Sequence, residues 1–178
     1  MISLPLSLSA LLCLVLLSMT PTQAKTRCSP SPKVQPTSQY EFSMNLILGA
    51  GTDLGVDIYN TRQTFLPVEG GSFCARWNGG VTGTVVSGAA SYYQTGNGTG
   101  PYKIDFQYLL KTSESPPASI LVRQFGWEVN RVGRTTYVFE SGDTRYRAVS
   151  TGVYVGVETG YVVNVTKTYS SVDGYTLV

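Results

Sequence analysis

The stretch YKIDFQYLLK, residues 102–111, decides the fold. Tyr102, Ile104, Phe106, Tyr108 and Leu110 fall at every second position, with Lys103, Asp105 and Gln107 between them. A period of two puts the two sets on opposite faces of a strand, whereas a helix would scatter them around its axis. Residues 40–48 repeat the pattern: Tyr40, Phe42, Met44, Leu46 and Leu48 share one face. Further strands are expected at 62–68, 72–77, 81–86, 89–95, 119–129, 134–139, 147–157 and 161–169. Residues 56–59 read as a short strand or as a loop across a barrel end. No helical apolar stripe interrupts this series.

Turn chemistry separates the strands. Asn78-Gly79-Gly80 is a strong hairpin signal. Gly96-Asn97-Gly98-Thr99-Gly100, Glu140-Ser141-Gly142-Asp143 and Glu158-Thr159-Gly160 mark further turns, and Pro116-Pro117 makes 112–118 a loop. Gly126 inside a strand suggests a bulge or a close backbone approach. Hairpin after hairpin favours antiparallel pairing. The expected fold is therefore all-β, a single antiparallel β-barrel of about 8–10 strands, lipocalin-like in general shape, because closure removes exposed edges. A two-sheet sandwich is the alternative.

Composition bounds the chemistry. The chain has 178 residues, a net charge of +2 and no histidine. A Ser-His-Asp hydrolase, a Cys-His protease and a histidine-ligated metal site are excluded. The near balance of charge offers nothing that would hold a line of phosphates, so nucleic acid is not an expected partner. Gly96–Gly100 precedes a strand, not a helix, and ends in no Lys-Ser/Thr pair, so it is not a phosphate loop.

Residues 2–19 are apolar and uncharged, and Thr22-Gln23-Ala24 fits a signal-peptidase site. The expectation is a signal peptide over 1–24, an extended arm over 25–38 and a β-barrel domain over 39–178. The protein is then secreted or held in a secretory-pathway lumen, with no stable membrane span after cleavage. In such a compartment Cys28 and Cys74 most simply form a disulfide, the other reading being two separate thiols. Asn97 and Asn164 head glycosylation sequons, the second usable only if Asn164 faces outward.

Several segments resemble the DUF3237 / UPF0311 family of small β-barrel proteins, in the manner of a secreted fungal member. Phe139-Glu140-Ser141-Gly142-Asp143-Thr144-Arg145-Tyr146, with Gly156 after Val153-Tyr154-Val155, is similar to the family's F-E-T-G-D-x-R-Y … L-F-V-G signature. Glu69-Gly70-Gly71-Ser72-Phe73, the strand Ile104–Thr112 and the opening stretch from Tyr40 to Gly55 resemble three more of its segments. The resemblance implies one antiparallel barrel with a central cavity. For fungal members it also implies natural-product chemistry, in which small barrels serve as cofactor-free cyclases or isomerases. Gln107 stands where the family has an arginine.

The functional expectation follows from both sources. An apolar, oxygenated small molecule is expected in the barrel, cyclised or isomerised without a cofactor or metal; secondary-metabolite biosynthesis is the context the resemblance implies. A non-catalytic ligand-binding barrel and a purely structural extracellular protein are the alternatives. Asp105 and Glu69 are the candidate proton acceptors. Tyr92, Gln107, Arg123, Trp127 and Tyr146 are candidate substrate-binding residues. Asp105 carries that role only if its face meets a cavity; if the apolar face packs the interior, it is a solvated surface carboxylate. Arg145 is expected to hold Glu140 or Asp143 across a turn. A second copy of the chain is a candidate partner.

Overall fold

A computed structural model describes residues 37–95, 100–162 and 167–177. Among the described residues nine strands form one sheet: β1 (Ser38–Leu48), β2 (Thr52–Val56), β3 (Thr61–Ala75), β4 (Val81–Thr95), β5 (Tyr102–Thr112), β6 (Ser119–Val129), β7 (Val132–Glu140), β8 (Tyr154–Val162) and β9 (Thr168–Leu177). Every pairing is antiparallel, and β1 bonds both β9 and the second half of β3. That double pairing closes β1 and β3–β9 into an eight-stranded barrel. β2 pairs only with the first half of β3, from Thr52 against Phe65 to Val56 against Arg62, and is exposed throughout.

Closure depends on Gly71. Its φ is +144°, and a Cβ there would lie 2.0 Å from the Asn45 carbonyl oxygen of β1. A side chain at this position would hold β1 off β3.

The alternation of β5 and β1 predicts the core. Ile104, Phe106, Tyr108 and Leu110 point inward and are buried, as are Phe42, Met44, Leu46 and Leu48. Each large side chain removed from water in this way contributes roughly 1.5–3 kcal/mol before entropy is counted. Ile120 and Val122 of β6 and Tyr137 and Phe139 of β7 complete the inner wall.

One end of the barrel is sealed by aromatic rings. Trp77 follows β3 in a short 3-10 turn and stacks edge-on against Phe139 at 4.8 Å, with Phe42 at 6.0 Å and Tyr146 at 6.4 Å. Tyr146 lies in a second 3-10 turn, a third spans Val149–Thr151, and β8 begins only at Tyr154 and not at 147 as the sequence pattern predicts. Arg145 fixes the turn of Tyr146. It pairs with Asp143 at 2.6 Å and with Glu114 at 3.1 Å, and it donates to the Pro116 carbonyl at 2.9 Å. Of the two carboxylates expected beside Arg145, Asp143 is its partner; Glu140 pairs instead with Arg123 at 3.3 Å. The Tyr146 hydroxyl donates to Glu114 at 2.5 Å, so the proline loop is tied to the plug.

The expected Cys28–Cys74 disulfide is corrected: Cys74 is a free, exposed thiol. It sits at an outward position of β3, between Ser43 of β1 and Thr82 of β4, facing solvent. Cys28, the signal segment and both sequon asparagines, Asn97 and Asn164, lie outside the described residues.

Candidate functional site

The candidate site lies at the opposite end of the barrel. The β6–β7 hairpin turns there through Asn130 (φ 53°) and Arg131 (φ 64°), both left-handed, as a two-residue turn requires. Below it lies a cavity of about 360 Å³ lined by Thr64, Leu66, Tyr92, Tyr102, Glu128, Arg131 and Thr168. An adjoining hollow of about 340 Å³ shares Tyr102, Glu128 and Arg131 and runs out over Gln94 and Pro101. Tyr92 and Tyr102 meet edge-to-face at 6.1 Å and form the aromatic side of the mouth.

Glu128 is the carboxylate of this wall. It lies on the inward parity of β6, which runs Ile120, Val122, Gln124, Gly126, Glu128. Partial burial raises its pKa above the usual glutamate value, and the Arg131 guanidinium pulls it back. Burial likewise pushes the Tyr92 hydroxyl well above the usual tyrosine value, with the negative charge of Glu158 adding to the effect.

Beneath the mouth a second carboxylate is enclosed. Glu158 of β8 is 1% exposed. Ser170 donates to one of its oxygens at 2.5 Å, and the Gln124 amide donates to the other at 2.5 Å. Tyr108 donates in turn to the Gln124 oxygen at 3.1 Å. Burial drives Glu158 from 4.5 to about 7; the Ser170 and Gln124 hydrogen bonds lower it, and the nearby charge of Glu128 adds to the rise. Near neutrality this carboxyl is therefore poised between its two protonation states.

Gly133 makes the arrangement fit. It pairs with Glu128 on one side and with Glu158 on the other. A Cβ at Gly133 would sit 3.0 Å from the Glu158 Cβ and 3.3 Å from its Oε2. Glu158 thus leans across the bare glycine backbone to reach Gln124 on β6.

The other candidates lie elsewhere. Asp105 and Gln107 face solvent on the outer wall of β5, because Ile104, Phe106 and Tyr108 take the interior. Glu69 is an exposed residue of β3, paired with Lys167 at 3.4 Å. Arg123 lies beside Gln107 on the outer wall, and Trp127 is 54% exposed there. Tyr146 is fully buried at the sealed end. Tyr92 alone among them reaches the mouth cavity. Glu128, Arg131, Glu158 and Gln124 were missed. Gln124 and Glu128 were legible as polar residues on the apolar parity of their strand. Glu158 was hidden by a turn reading, whereas β8 continues through it to Val162.

Among the described residues no three or more Cys, Asp or Glu side chains converge as a metal site would need. No helix among them is long and apolar enough to cross a membrane.

Solved structures share this architecture. A conserved protein of unknown function from Rhodopseudomonas palustris superposes with a TM-score of 0.66 at 17% identity, over 82% of this chain and 99% of that one. A β-barrel-like protein from Acinetobacter baumannii gives 0.62 at 20% identity, covering 82% and 99%. A protein described as an enzyme, from Penicillium herquei, gives 0.63 at 19% identity, covering 84% and 99%. At these identities the likeness establishes the fold. No curated protein matches the chain. Residues 32–172 match the model of the family described as protein of unknown function DUF3237, from before β1 to the middle of β9, and the chain belongs to that family.

Proposed function

We propose that the cavity beneath the β6–β7 hairpin binds a small, apolar, oxygenated molecule and that Glu128 exchanges a proton with it, in a cofactor-free isomerisation or cyclisation. The observation that carries this reading is the half-buried Glu128 carboxylate in the wall of a cavity of about 360 Å³, beside an aromatic pair and a guanidinium. Leu66, Tyr92 and Tyr102 offer apolar surface to the ligand body. Arg131 is placed to bind a carbonyl or enolate oxygen. Glu128, raised by burial, takes a proton from a carbon next to that carbonyl. The released electron pair moves onto the oxygen, where the guanidinium balances the charge. Return of the proton at a different carbon completes an isomerisation; attack of the enolate carbon on a second carbonyl carbon of the same ligand opens that C=O π bond, and Glu128 returns its proton to the alkoxide formed, which completes a ring closure. Confinement of a flexible ligand in a closed-ended barrel supplies orientation. Glu158, in the same cross-strand row beyond Gly133, holds a second proton near neutrality and biases Glu128 toward its ionised form. The Penicillium herquei protein, described as an enzyme, lends the fold a catalytic precedent.

Incubation with an apolar metabolite extract, read by mass spectrometry, tests this. Wild type should retain a ligand and convert it to an isomer of the same mass; Glu128→Gln should retain it unconverted. Equal conversion by both proteins would remove Glu128 from the chemistry.

A binding role without catalysis is the second reading. The most strongly perturbed carboxylate, Glu158, is enclosed and does not line the cavity, which favours it. Retention of a ligand with no product from wild type would decide for that reading.

A further inference from the structure

The outer wall of β5–β8 carries two neighbouring cross-strand rows. One is Lys103, Trp127, Arg134 and Val157; the next is Asp105, Phe125, Thr136 and Val155. Trp127 is 54% exposed, Phe125 46% and Val157 45%. Single exposed apolar residues on a barrel wall are ordinary, but a contiguous patch across neighbouring strands marks a contact surface.

We infer that a second copy of this chain docks on this face, about a twofold axis lying in the interface and running across the strands between the two rows. Such an axis sets each row against the other row of the partner. Lys103 then faces the partner's Asp105, and Asp105 faces the partner's Lys103. Trp127 meets the partner's Phe125, and Val157 meets the partner's Val155. Arg134 comes opposite the partner's Thr136 hydroxyl. The match in charge, ring and aliphatic side chain arises on adjacent strands from the same two rows. Any other protein would have to carry this pattern in mirror order, whereas a second copy supplies it by symmetry.

The charges are available for it. Among the described residues neither Asp105 nor Arg134 has an ion-pair partner, and Lys103 only lies over the Tyr93 ring at 5.5 Å. The face is also not flat. A groove of about 340 Å³ runs past Arg134, Thr136, Val155 and Val157 and gives room for the partner's valines. Four strands spaced about 4.8 Å apart are about 15 Å wide, so the buried area falls below the roughly 800 Å² per partner of a permanent complex. The dimer is therefore reversible and concentration-dependent.

Sedimentation velocity across a concentration series tests the pairing, with circular dichroism to show that each variant keeps the fold. Wild type should associate reversibly to a dimer. Lys103→Glu and Asp105→Lys each set like charges together and should weaken association about tenfold or more. The double variant Lys103→Glu/Asp105→Lys restores opposite charges and should dimerise like wild type. Trp127→Ser, which leaves the charges in place, should also weaken it. A monomer at every concentration would overturn the inference. So would a dimer indifferent to both single reversals, or a double variant as weak as the singles.

Discussion

Glu128 and Glu158 face the barrel interior from one cross-strand row, with Gly133 between them. Two carboxylates on neighbouring inward positions raise each other's cost of ionisation, and the deeper one bears more of it. Glu158 is enclosed and Glu128 borders the cavity, so the pair divides into a buried carboxyl and one that a bound molecule can reach.

The first prediction concerns pH. Glu158 titrates at about 7 in the fold against 4.5 as its ordinary value. The folded state therefore binds this proton more tightly than the unfolded chain. The associated stability is fully present below about pH 4.5 and is lost as pH rises through about 7. The span corresponds to about 3 kcal/mol. Glu158→Gln cannot ionise and should lack this loss. Urea unfolding across pH should show the variant overtaking wild type on the alkaline side; parallel curves would contradict the shift.

Gly133→Ala should displace Glu158 by a few tenths of an ångström, because the added methyl meets the Glu158 Cβ at 3.0 Å and the Ile104 Cδ1 at 3.1 Å. A cost of about 1–2 kcal/mol is expected. Gly142→Ala is the control, since a Cβ there meets nothing within 4 Å. Carboxyl-detected NMR should show the Glu158 titration moved in the first variant and unchanged in the second.

At the sealed end, Tyr146→Phe removes the hydroxyl that donates to Glu114 at 2.5 Å. Loss of about 1 kcal/mol is expected from chemical denaturation. Arg145→Ala removes partners from Asp143, Glu114 and Pro116 together and should lower Tm further. Arg145 hydrogen bonds hold Asp143 at about 2, so its contribution is present above about pH 3.8 and lost as pH falls through about 2.

Trp77 has a buried indole N–H with no hydrogen-bond partner among the described residues. Trp77→Phe removes that donor while keeping a ring against Phe139, and should cost less than about 1.5 kcal/mol. Phe139→Ala, which empties the centre of the aromatic plug, should cost about 3–5 kcal/mol. Equal losses in thermal unfolding would mean that the indole N–H finds water.

The residues of β5 show how much was legible. Alternation over 102–111 put Ile104, Phe106 and Tyr108 on one face and Asp105 on the other; the fold made the first face the buried one. Antiparallel strands were legible in pattern after pattern, and closure into a barrel was decided by the pairing of β1 with both β9 and β3. The candidate site was less accessible, because an inward carboxylate is recognisable only when its strand and parity are known. Gln124 and Glu128 met that condition, lying on the face of Ile120 and Val122. Glu158 did not, since Glu158-Thr159-Gly160 has the composition of a turn.

What the sequence by itself determined is the all-β class, the two-fold alternation of its clearest strands and, through the absence of histidine, the exclusion of histidine-dependent chemistry. Tertiary structure alone decided which end holds the cavity and which glutamates look inside. The physical reason is that β8 runs on through Glu158 because Gly133 and Val172 pair with it from both sides. Those partners lie far from Glu158 in sequence or across a turn, and their backbone hydrogen bonds override the local preference for a bend.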